Sequence, residues 1–124
     1  MNVIEELFNL KDKLVIVTGG QGDLGSEYVR ALVLAGAKVA IFDISKNINP
    51  KVKDLISQGH SIKNFCVDII NKKAVQVAFS KLIKFFNDTP TILINNAGLS
   101  SHPSGSAEEN GPFEKYPEEV WDAM

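Results

Sequence analysis

The sequence predicts an α/β protein built around a parallel sheet. Four short apolar runs alternate along the chain with stretches whose apolar residues recur at helical spacing. No internal repeat or low-complexity tract interrupts this alternation. Strands separated by helices pair in parallel because the connection must cross back over the sheet, and such crossovers are right-handed. The predicted order of elements is therefore β-α-β-α-β-α-β.

The four apolar runs are predicted as strands because each is short and bounded by glycine or polar residues, as buried parallel strands are. They span residues 13–19, 37–43, 61–68 and 91–98. With helices crossing between them, these strands predict a Rossmann-type, doubly wound parallel sheet with the strand order 3-2-1-4.

Two helices are predicted in the first half of the sequence. The first spans 22–35, where five apolar residues recur at helical spacing: Leu24, Tyr28, Ala31, Leu32 and Ala35. Gly36 follows at a position where a left-handed residue would end the helix. The second helix is predicted to begin at Pro50, which suits a first helical turn, and to end before Gly59.

The second half predicts a long helix, a loop and the start of another helix. Asn71 is the predicted N-cap of a helix over 72–87. Its apolar stripe consists of Val75, Phe79, Leu82 and Phe86. Residues 99–117 are rich in Ser, Pro, Gly and Glu without periodicity, which predicts a long loop, either functional or mobile and solvent-facing. Pro117 then begins a further helical run.

Composition places the 124-residue chain among ordinary globular proteins, as one domain or part of one. It is 44% apolar and 23% charged, and 13 basic against 15 acidic residues give a net charge of −2. The lysines are scattered, so we expect no nucleic-acid partner. No run approaches the ~20 apolar residues that cross a bilayer, and the N-terminus lacks an apolar signal core. The expected location is therefore cytoplasmic, with no membrane partner.

Cysteine and histidine indicate no metal site. Cys66 is the single cysteine, which excludes a disulfide within the chain and a cysteine-based metal site. It falls in an apolar run and is predicted to be a buried strand residue. His60 and His102 stand alone in polar surroundings, so no metal ligand is predicted.

A glycine motif of the form G-x-G-x-x-G links the first predicted strand to the first helix. Gly20, Gly22 and Gly25 occupy its glycine positions. They are expected, in that order, to allow a tight turn, to let the backbone approach phosphates and to let the helix pack closely on the strand. The helix N-terminus then attracts a pyrophosphate through its N–H groups and dipole. A purely structural turn between strand and helix is the alternative.

Asp23 places a negative charge inside this glycine motif. We interpret it as a residue whose carboxylate caps the helix start and takes N–H groups that a phosphate would otherwise use. On that interpretation Asp23 weakens dinucleotide binding by on the order of 1 kcal/mol.

Acidic residues also end the second and third predicted strands. Asp43 comes 18 residues after Gly25 (43 minus 25), where a carboxylate can accept hydrogen bonds from the adenosine ribose hydroxyls. An acid there repels a 2′-phosphate, and the first base beyond it is Lys46, so NAD is favoured over NADP. A solvent-facing Asp43 is the alternative. Asp68 is expected either to contact the adenine edge or to cap the helix just ahead of Asn71.

The fourth predicted strand ends in Asn-Asn-Ala-Gly at residues 95–98. Small residues at the carboxyl end of a strand fit a backbone that runs close beside a cofactor, since ligands of open α/β sheets bind at that edge. An ordinary Asn-Ala-Gly turn is the alternative.

In these motifs the sequence resembles the short-chain dehydrogenase/reductase family. The resemblance rests on the run into the first strand, on TGGQGDLG at 18–25, on VD at 67–68 and on NNAG at 95–98. The stretch ENGPFEKYPEEVWDAM is similar to the approach to the family's fifth helix, so nearly all of the chain is covered. The family's main subgroup has Gly at the position of Asp23, and the glycine motif departs from its usual form there.

The resemblance implies an NAD-binding site and the residues that form it. The implied cofactor contacts are Gly19, Gln21, Gly22, Asp23, Leu24, Asp43, Ile44, Asp68, Ile69, Asn95, Ala97 and Gly98, with Gly20 and Asn96 inside the same two stretches. In the family the first Asn of the NNAG motif also ties the central strands together, which implies a partly structural role for Asn95.

The resemblance also implies reversible hydride transfer between a nicotinamide cofactor and a small-molecule alcohol or carbonyl, with Tyr, Lys, Ser and Asn as catalytic groups. No Tyr-x-x-x-Lys occurs in the 124 residues, and Ser100, Ser101 and Ser104 come too early to be the catalytic Ser. No catalytic residue is therefore assigned. Residues 1–124 are interpreted as an incomplete N-terminal portion, the full-length form being homo-oligomeric. A non-catalytic NAD-binding module and an inactive truncated product are the alternatives.

Overall fold

The computed structural model describes residues 2–99 and 111–123. Most of the predicted loop 99–117 lies outside these ranges, together with His102 and the three serines Ser100, Ser101 and Ser104. The described end of that loop contains a short 3₁₀ helix, Phe113–Lys115. Within the two described ranges, no helix has the length and apolar character needed to cross a membrane.

Four parallel strands form one sheet in the order β3-β2-β1-β4, which confirms the predicted architecture. The strands are β1 (Leu14–Thr18), β2 (Lys38–Asp43), β3 (Ile62–Cys66) and β4 (Ile92–Ile94). β1 and β2 lie in the middle of the sheet and are the most deeply buried. Val15 of β1 pairs with Val39 on one side and with Ile92 on the other.

β4 is shorter than the predicted 91–98 because the chain leaves the sheet after Ile94. The main-chain N–H groups of Asn96 and Ala97 donate to the Thr18 hydroxyl at 3.1 and 3.0 Å, and not to a β1 carbonyl. Residues 95–98 therefore form an irregular segment held against the end of β1.

The described residues contain five α-helices, several of which begin or end at residues that favour those positions. They are α1 (Val3–Phe8), α2 (Asp23–Leu34), α3 (Pro50–Ser57), α4 (Lys72–Phe86) and α5 (Glu118–Ala123). Asn49 and Asn71 cap α3 and α4, each through a side-chain oxygen that accepts a first-turn N–H group. Gly36 and Gly59 follow α2 and α3 in the left-handed region, with φ of 98° and 93°. The cap at Asn71 and the two glycines were predicted, whereas the cap at Asn49 was not.

α1 is absent from the sequence-based prediction, although its start carries a capping box. The Asn2 side chain accepts from the Glu5 N–H at 2.9 Å, and the Glu5 side chain accepts from the Asn2 N–H at 2.9 Å. A polar residue followed three positions later by Glu is a sequence signal for a helix start. The signal was missed because the apolar residues of α1 are all exposed and belong to no predicted core.

The core has one layer on each face of the sheet. On one face, α2 and α3 pack on the central strands through Val29, Val33 and Leu55. On the other face, Ala78 and Leu82 of α4 pack against the opposite side chains of the same strands. Helices on both faces leave the carboxyl ends of the strands accessible at one edge.

The buried stripe of α2 is displaced by one residue from the predicted one. Its buried residues are Gly25, Ser26, Val29 and Val33. Leu24 and Tyr28 of the predicted stripe are exposed. Counting apolar residues misplaced the stripe because two buried positions hold Gly and Ser. In α4, Phe79 is likewise exposed, and the smaller Ala78 lies in the core.

Cys66 is exposed, so its prediction as a buried residue is wrong. It ends β3, an edge strand in which Ile62 is the buried position and the other residues have more contact with solvent. An edge strand has a neighbour on one side only, and its last residue therefore receives less cover. The Cys66 thiol makes one weak hydrogen bond, to the Ile44 carbonyl at 3.4 Å.

Among the described residues, two ion pairs connect elements around the sheet, one part-buried and one exposed. Lys38 Nζ lies 2.6 Å from Asp88 Oδ2, and Lys51 Nζ lies 2.7 Å from Glu27 Oε1. The lysine hydrogen bond in each pair lowers the pKa of the carboxyl group below its usual value. Any stabilisation is thus present above the unfolded-state pKa and is lost as pH falls through the lowered folded-state pKa. Solvent-accessible pairs of this kind contribute little.

Candidate functional site

A cleft of about 850 Å³ opens at the carboxyl ends of the four strands. This is the edge at which open α/β sheets bind their ligands, and the volume suits a small molecule. Eleven of the twelve residues implied as cofactor contacts line it: Gly19, Gln21, Gly22, Asp23, Leu24, Asp43, Ile44, Asp68, Ile69, Ala97 and Gly98. The fold therefore brings four separate stretches of sequence to one surface.

The tight turn after β1 depends on Gly19, whereas the sequence analysis attributed it to Gly20. Gly19 lies in the left-handed region with φ of 68°, and its carbonyl accepts from the Gly22 N–H at 3.1 Å. Gly20 is needed for a different reason. A Cβ atom on Gly20 would lie 2.7 Å from the Ile41 side chain of β2.

Gly25 lets α2 approach the end of β1, as the glycine motif predicts. A Cβ atom on Gly25 would lie 2.1 Å from the Gly19 carbonyl oxygen and 2.8 Å from Asn96 Nδ2. Gly22 is the N-cap of α2 and has no side chain to take the first-turn N–H groups. The helix start thus presents backbone to the cleft, which is the arrangement that binds phosphates.

Asp23 does not cap α2, so the interpretation of its carboxylate as a helix cap is wrong. It is the first residue inside the helix, and the cap position belongs to Gly22. Capping requires a side chain on the residue before the first helical one, from which it can reach the next N–H groups. The bond made at Asp23 uses its main-chain carbonyl, which accepts from the Ser26 hydroxyl at 3.0 Å.

Asn96, and not Asn95, ties β4 to β1. Asn96 Nδ2 donates to the carbonyls of Thr18 and Gly19 at 3.1 and 3.2 Å. Side chains alternate between the faces of a strand, so Asn96 lies on the same face as Ile94 and Ile92, towards the layer that contains α2. Asn95 is exposed and is the implied contact that does not line the cleft. This alternation was readable from the sequence.

Thr18 also connects the end of β4 to β1, and the sequence-based prediction did not identify it. Its hydroxyl accepts from the N–H groups of Asn96 and Ala97 and lies 3.5 Å from the Ile94 carbonyl. Thr18 is buried, with 6% of its surface exposed, so its hydroxyl is held in one place within the fold. The hydroxyl therefore closes the end of the shortened β4.

We expect Thr18→Val to destabilise the fold by about 2 kcal/mol because it removes the buried hydroxyl that accepts from two N–H groups. Thr18→Ser keeps the hydroxyl and is the matched control, for which we expect a loss of under about 1 kcal/mol. Urea unfolding followed by circular dichroism measures both. A Thr18→Val variant as stable as the wild type would show that this connection is unimportant.

Asp43 ends β2 with its carboxylate at the cleft. Asp43 Oδ2 accepts from the Gln21 N–H at 3.0 Å, and Oδ1 accepts from the Ser45 N–H at 2.8 Å. A carboxylate has about four acceptor sites, so about two remain available. These could accept two hydroxyl hydrogen bonds from a bound molecule.

Asp68 lines the cleft and does not cap α4. Its Oδ1 accepts from the Ile70 N–H at 3.2 Å, whereas the cap of α4 is Asn71, whose side chain accepts from Ala74 N at 3.0 Å. Of the two roles left open for Asp68, helix capping is therefore wrong. Beside it the exposed side chains of Ile69 and Ile70 provide an apolar wall that a flat ring could cover.

The charges around the cleft are all negative in the part of the chain that is described. Asp23, Asp43 and Asp68 line it, and none of its described lining residues is Lys, Arg or His. Phosphate groups would thus depend on backbone N–H groups and on the helix dipole. No group of three metal-ligating side chains was found among the described residues.

Comparison with known proteins yields one family. The family model described as short chain dehydrogenase matches residues 13–124. D-arabinitol 2-dehydrogenase (ribulose-forming) of Candida tropicalis is 28% identical over 123 residues, covering 89% of this chain and 41% of that protein. An uncharacterized oxidoreductase of Escherichia coli strain K12 is 37% identical over 95 residues, covering 76% and 36% of the two chains.

A solved structure extends the comparison to the fold. The crystal structure of a short chain dehydrogenase from Leptospira borgpetersenii with bound NAD⁺ is 27% identical and has a TM-score of 0.67. It matches 99% of this chain and 42% of that one. The chain spans 36–41% of the length of the first curated relatives that it matches.

Proposed function

The chain belongs to the short-chain dehydrogenase family, and we propose that its cleft binds NAD as the cofactor-binding portion of an oxidoreductase. One observation carries the proposal. The glycine turn at the start of α2 and the carboxylate of Asp43 face the same cleft from neighbouring strands. A dinucleotide needs both features, backbone N–H groups for its pyrophosphate and an acceptor for its ribose.

The residues of the cleft fit such a molecule. Gly22 leaves the helix start open to a phosphate, and Asp43 keeps about two acceptor sites for ribose hydroxyls. Ile69 and Ile70 offer an apolar surface to an adenine ring. The negative charges along the cleft favour NAD over NADP, because a 2′-phosphate beside Asp43 would meet a like charge.

When bound, NAD would supply the hydride acceptor for an alcohol or the donor, as NADH, for a carbonyl. In this account residues 1–124 hold and orient the cofactor, and the proton-transfer residues lie elsewhere in a longer chain. Asn96 and Thr18 hold the segment 95–98 against β1 and so keep Ala97 and Gly98 beside the cleft. No substrate specificity is proposed.

A second candidate is a module that binds NAD without catalysis. Both candidates use the same cleft and the same proposed cofactor contacts. The coding sequence beyond residue 124 separates the candidates. An in-frame Ser followed by Tyr-x-x-x-Lys supports the oxidoreductase, and a stop codon at that point supports the module.

We expect Asp23→Asn to tighten NAD binding roughly fivefold, because removing a charge beside the helix N-terminus removes repulsion of about 1 kcal/mol from the pyrophosphate. Asp54→Asn makes the same charge change on the exposed surface of α3 and is the control. Titration calorimetry measures the dissociation constants. Unchanged or weaker binding by Asp23→Asn would contradict the idea that Asp23 opposes the phosphates.

The proposed function is tested by titrating the purified chain with NAD and with NADP. Saturable binding of NAD, with NADP weaker, supports it. Absence of NAD binding at millimolar concentration by a folded chain would reject it.

A further inference from the structure

Gln21 makes four hydrogen bonds to other residues at the rim of the cleft, through both its main chain and its side chain. Its main-chain N–H donates to Asp43 Oδ2 at 3.0 Å. Its side-chain Oε1 accepts from the Asn49 N–H at 2.6 Å, and its Nε2 donates to Asn64 Oδ1 at 3.0 Å. Its main-chain carbonyl accepts from Asn49 Nδ2 at 3.1 Å. One residue of the glycine turn is therefore joined to the end of β2, to the start of α3 and to β3.

Gln21, Asp43 and Asn64 form, together with Ser45, a closed ring of hydrogen bonds around the Asp43 carboxylate. Gln21 donates to Asp43, and Asp43 accepts in turn from the Ser45 N–H at 2.8 Å. The Ser45 carbonyl accepts from Asn64 Nδ2 at 3.4 Å, and Asn64 Oδ1 accepts from Gln21 Nε2 at 3.0 Å. All four residues are half-buried. The ring holds both carboxylate oxygens in place while leaving acceptor sites towards the cleft.

The ring also uses most of the hydrogen-bond donors beside the Asp43 carboxylate. A phosphate next to this carboxylate would require N–H or cationic groups to offset the like charge. One N–H of each side-chain amide of Gln21 and Asn64, and the main-chain N–H groups of Ser45 and Asn49, already donate to acceptors of the protein. A 2′-phosphate would therefore meet the Asp43 charge with few donors left to offset it, whereas a ribose with a free 2′-hydroxyl would leave the ring intact.

We propose that Gln21 is a positioning residue that sets the Asp43 carboxylate for a ribose with a free 2′-hydroxyl and so discriminates against a 2′-phosphorylated dinucleotide. The proposal rests on the proposed function, the binding of NAD. Its new element is that the side chain of the glycine turn, and not the strand-end acid alone, determines the preference. Asn64 acts in the same way from outside the cleft, because its contact with Asp43 is made only through Gln21 and Ser45.

The experiment compares NAD and NADP as probes on variants of the full chain. We expect Gln21→Ala to weaken NAD binding roughly tenfold and NADP binding much less. The variant lets the Asp43 carboxylate move, which costs about one hydrogen bond to the ribose hydroxyls of NAD, whereas NADP does not depend on that contact. The measured quantity is the NADP dissociation constant divided by the NAD dissociation constant, obtained by titration calorimetry with competition for the weaker ligand. This ratio narrows when the preference for NAD becomes smaller. A general loss of stability would change both constants together and leave the ratio unchanged.

Three further variants make the test specific. Asn64→Ala removes the acceptor for Gln21 Nε2 without touching a lining residue of the cleft, and we expect it to narrow the ratio. Asn64→Asp keeps that acceptor but removes the Nδ2 donor to the Ser45 carbonyl. Because the new carboxylate also repels a 2′-phosphate, we expect the preference for NAD to be kept. Asn47→Ala is the matched control, because Asn47 is exposed and bonds to Ser45 through its main chain.

A narrowed ratio in Gln21→Ala and Asn64→Ala, with Asn47→Ala unchanged, supports the proposal. An unchanged ratio in folded Gln21→Ala overturns it while leaving NAD binding by the wild type standing. If Gln21→Ala does not fold, an unchanged ratio in Asn64→Ala overturns it equally. A wild-type chain that binds no NAD overturns the proposed function and this inference together.

Discussion

Replacing Gly25 by alanine is expected to destabilise the chain by about 3 kcal/mol, at the severe end of overpacking effects. The added Cβ atom would lie 2.1 Å from the Gly19 carbonyl oxygen and 2.8 Å from Asn96 Nδ2. The first of these is a backbone atom within a tight turn, so no side-chain rotation can relieve the contact. α2 would have to move away from β1, which would also open the glycine turn and weaken NAD binding.

Urea unfolding and NAD titration of Gly25→Ala measure both effects. Gly22→Ala is the control, because a Cβ atom there would lie 3.4 Å from the same Gly19 oxygen, an ordinary contact. We expect Gly22→Ala to cost under about 1 kcal/mol, the usual difference between Gly and Ala at an N-cap. Equal stability of Gly25→Ala and the wild type would show that α2 does not pack as described.

The second large effect is expected for Asp43→Ala, which should weaken NAD binding by about 2 kcal/mol, roughly thirtyfold. A hydrogen bond to a charged group contributes about 1.5–3 kcal/mol, and the variant removes the acceptor of the ribose hydroxyls. It also leaves the N–H groups of Gln21 and Ser45 without their acceptor. NADP binding should fall less or improve, because the variant also removes the charge that repels a 2′-phosphate.

Nicotinamide mononucleotide, which lacks the adenosine half, distinguishes this effect from a general loss of the cleft. Asp43→Ala should leave its binding unchanged, and the surface variant Asp54→Ala should change neither ligand. Equal weakening of NAD and nicotinamide mononucleotide would contradict a ribose contact at Asp43.

Much of the fold was predictable because its signals are local. The four strands, their order, the cap at Asn71 and the helix ends at Gly36 and Gly59 follow from short runs of residues and from the handedness of crossovers. The stripe of α2 was misplaced because Gly25 and Ser26 carry no hydrophobic signal, so the face that buries Val29 and Val33 has fewer apolar residues than the predicted face. Hydrophobic periodicity selects the face with more apolar residues and overlooks a face that buries small ones.

The site was predictable in its stretches but not in its connections. The glycine turn, Asp43 and Asp68 were found as strand-end residues, and the structure brings them to one cleft. Gln21, Ser45 and Asn64 lie up to 43 residues apart, and their hydrogen bonds depend on how separate elements pack together. No local pattern indicates such a ring. The structural role assigned to Asn95 belongs to Asn96, and this error was avoidable. The alternation of side chains along a strand would have predicted it.

The most direct test of the central claim is a calorimetric titration of the wild-type 124-residue chain with NAD, repeated with NADP and with the Gly25→Ala variant. The account predicts saturable binding of one NAD per chain, at least roughly tenfold weaker binding of NADP because of repulsion at Asp43, and loss of NAD binding in Gly25→Ala. A folded wild-type chain that binds NADP as tightly as NAD, or that binds neither, would contradict it.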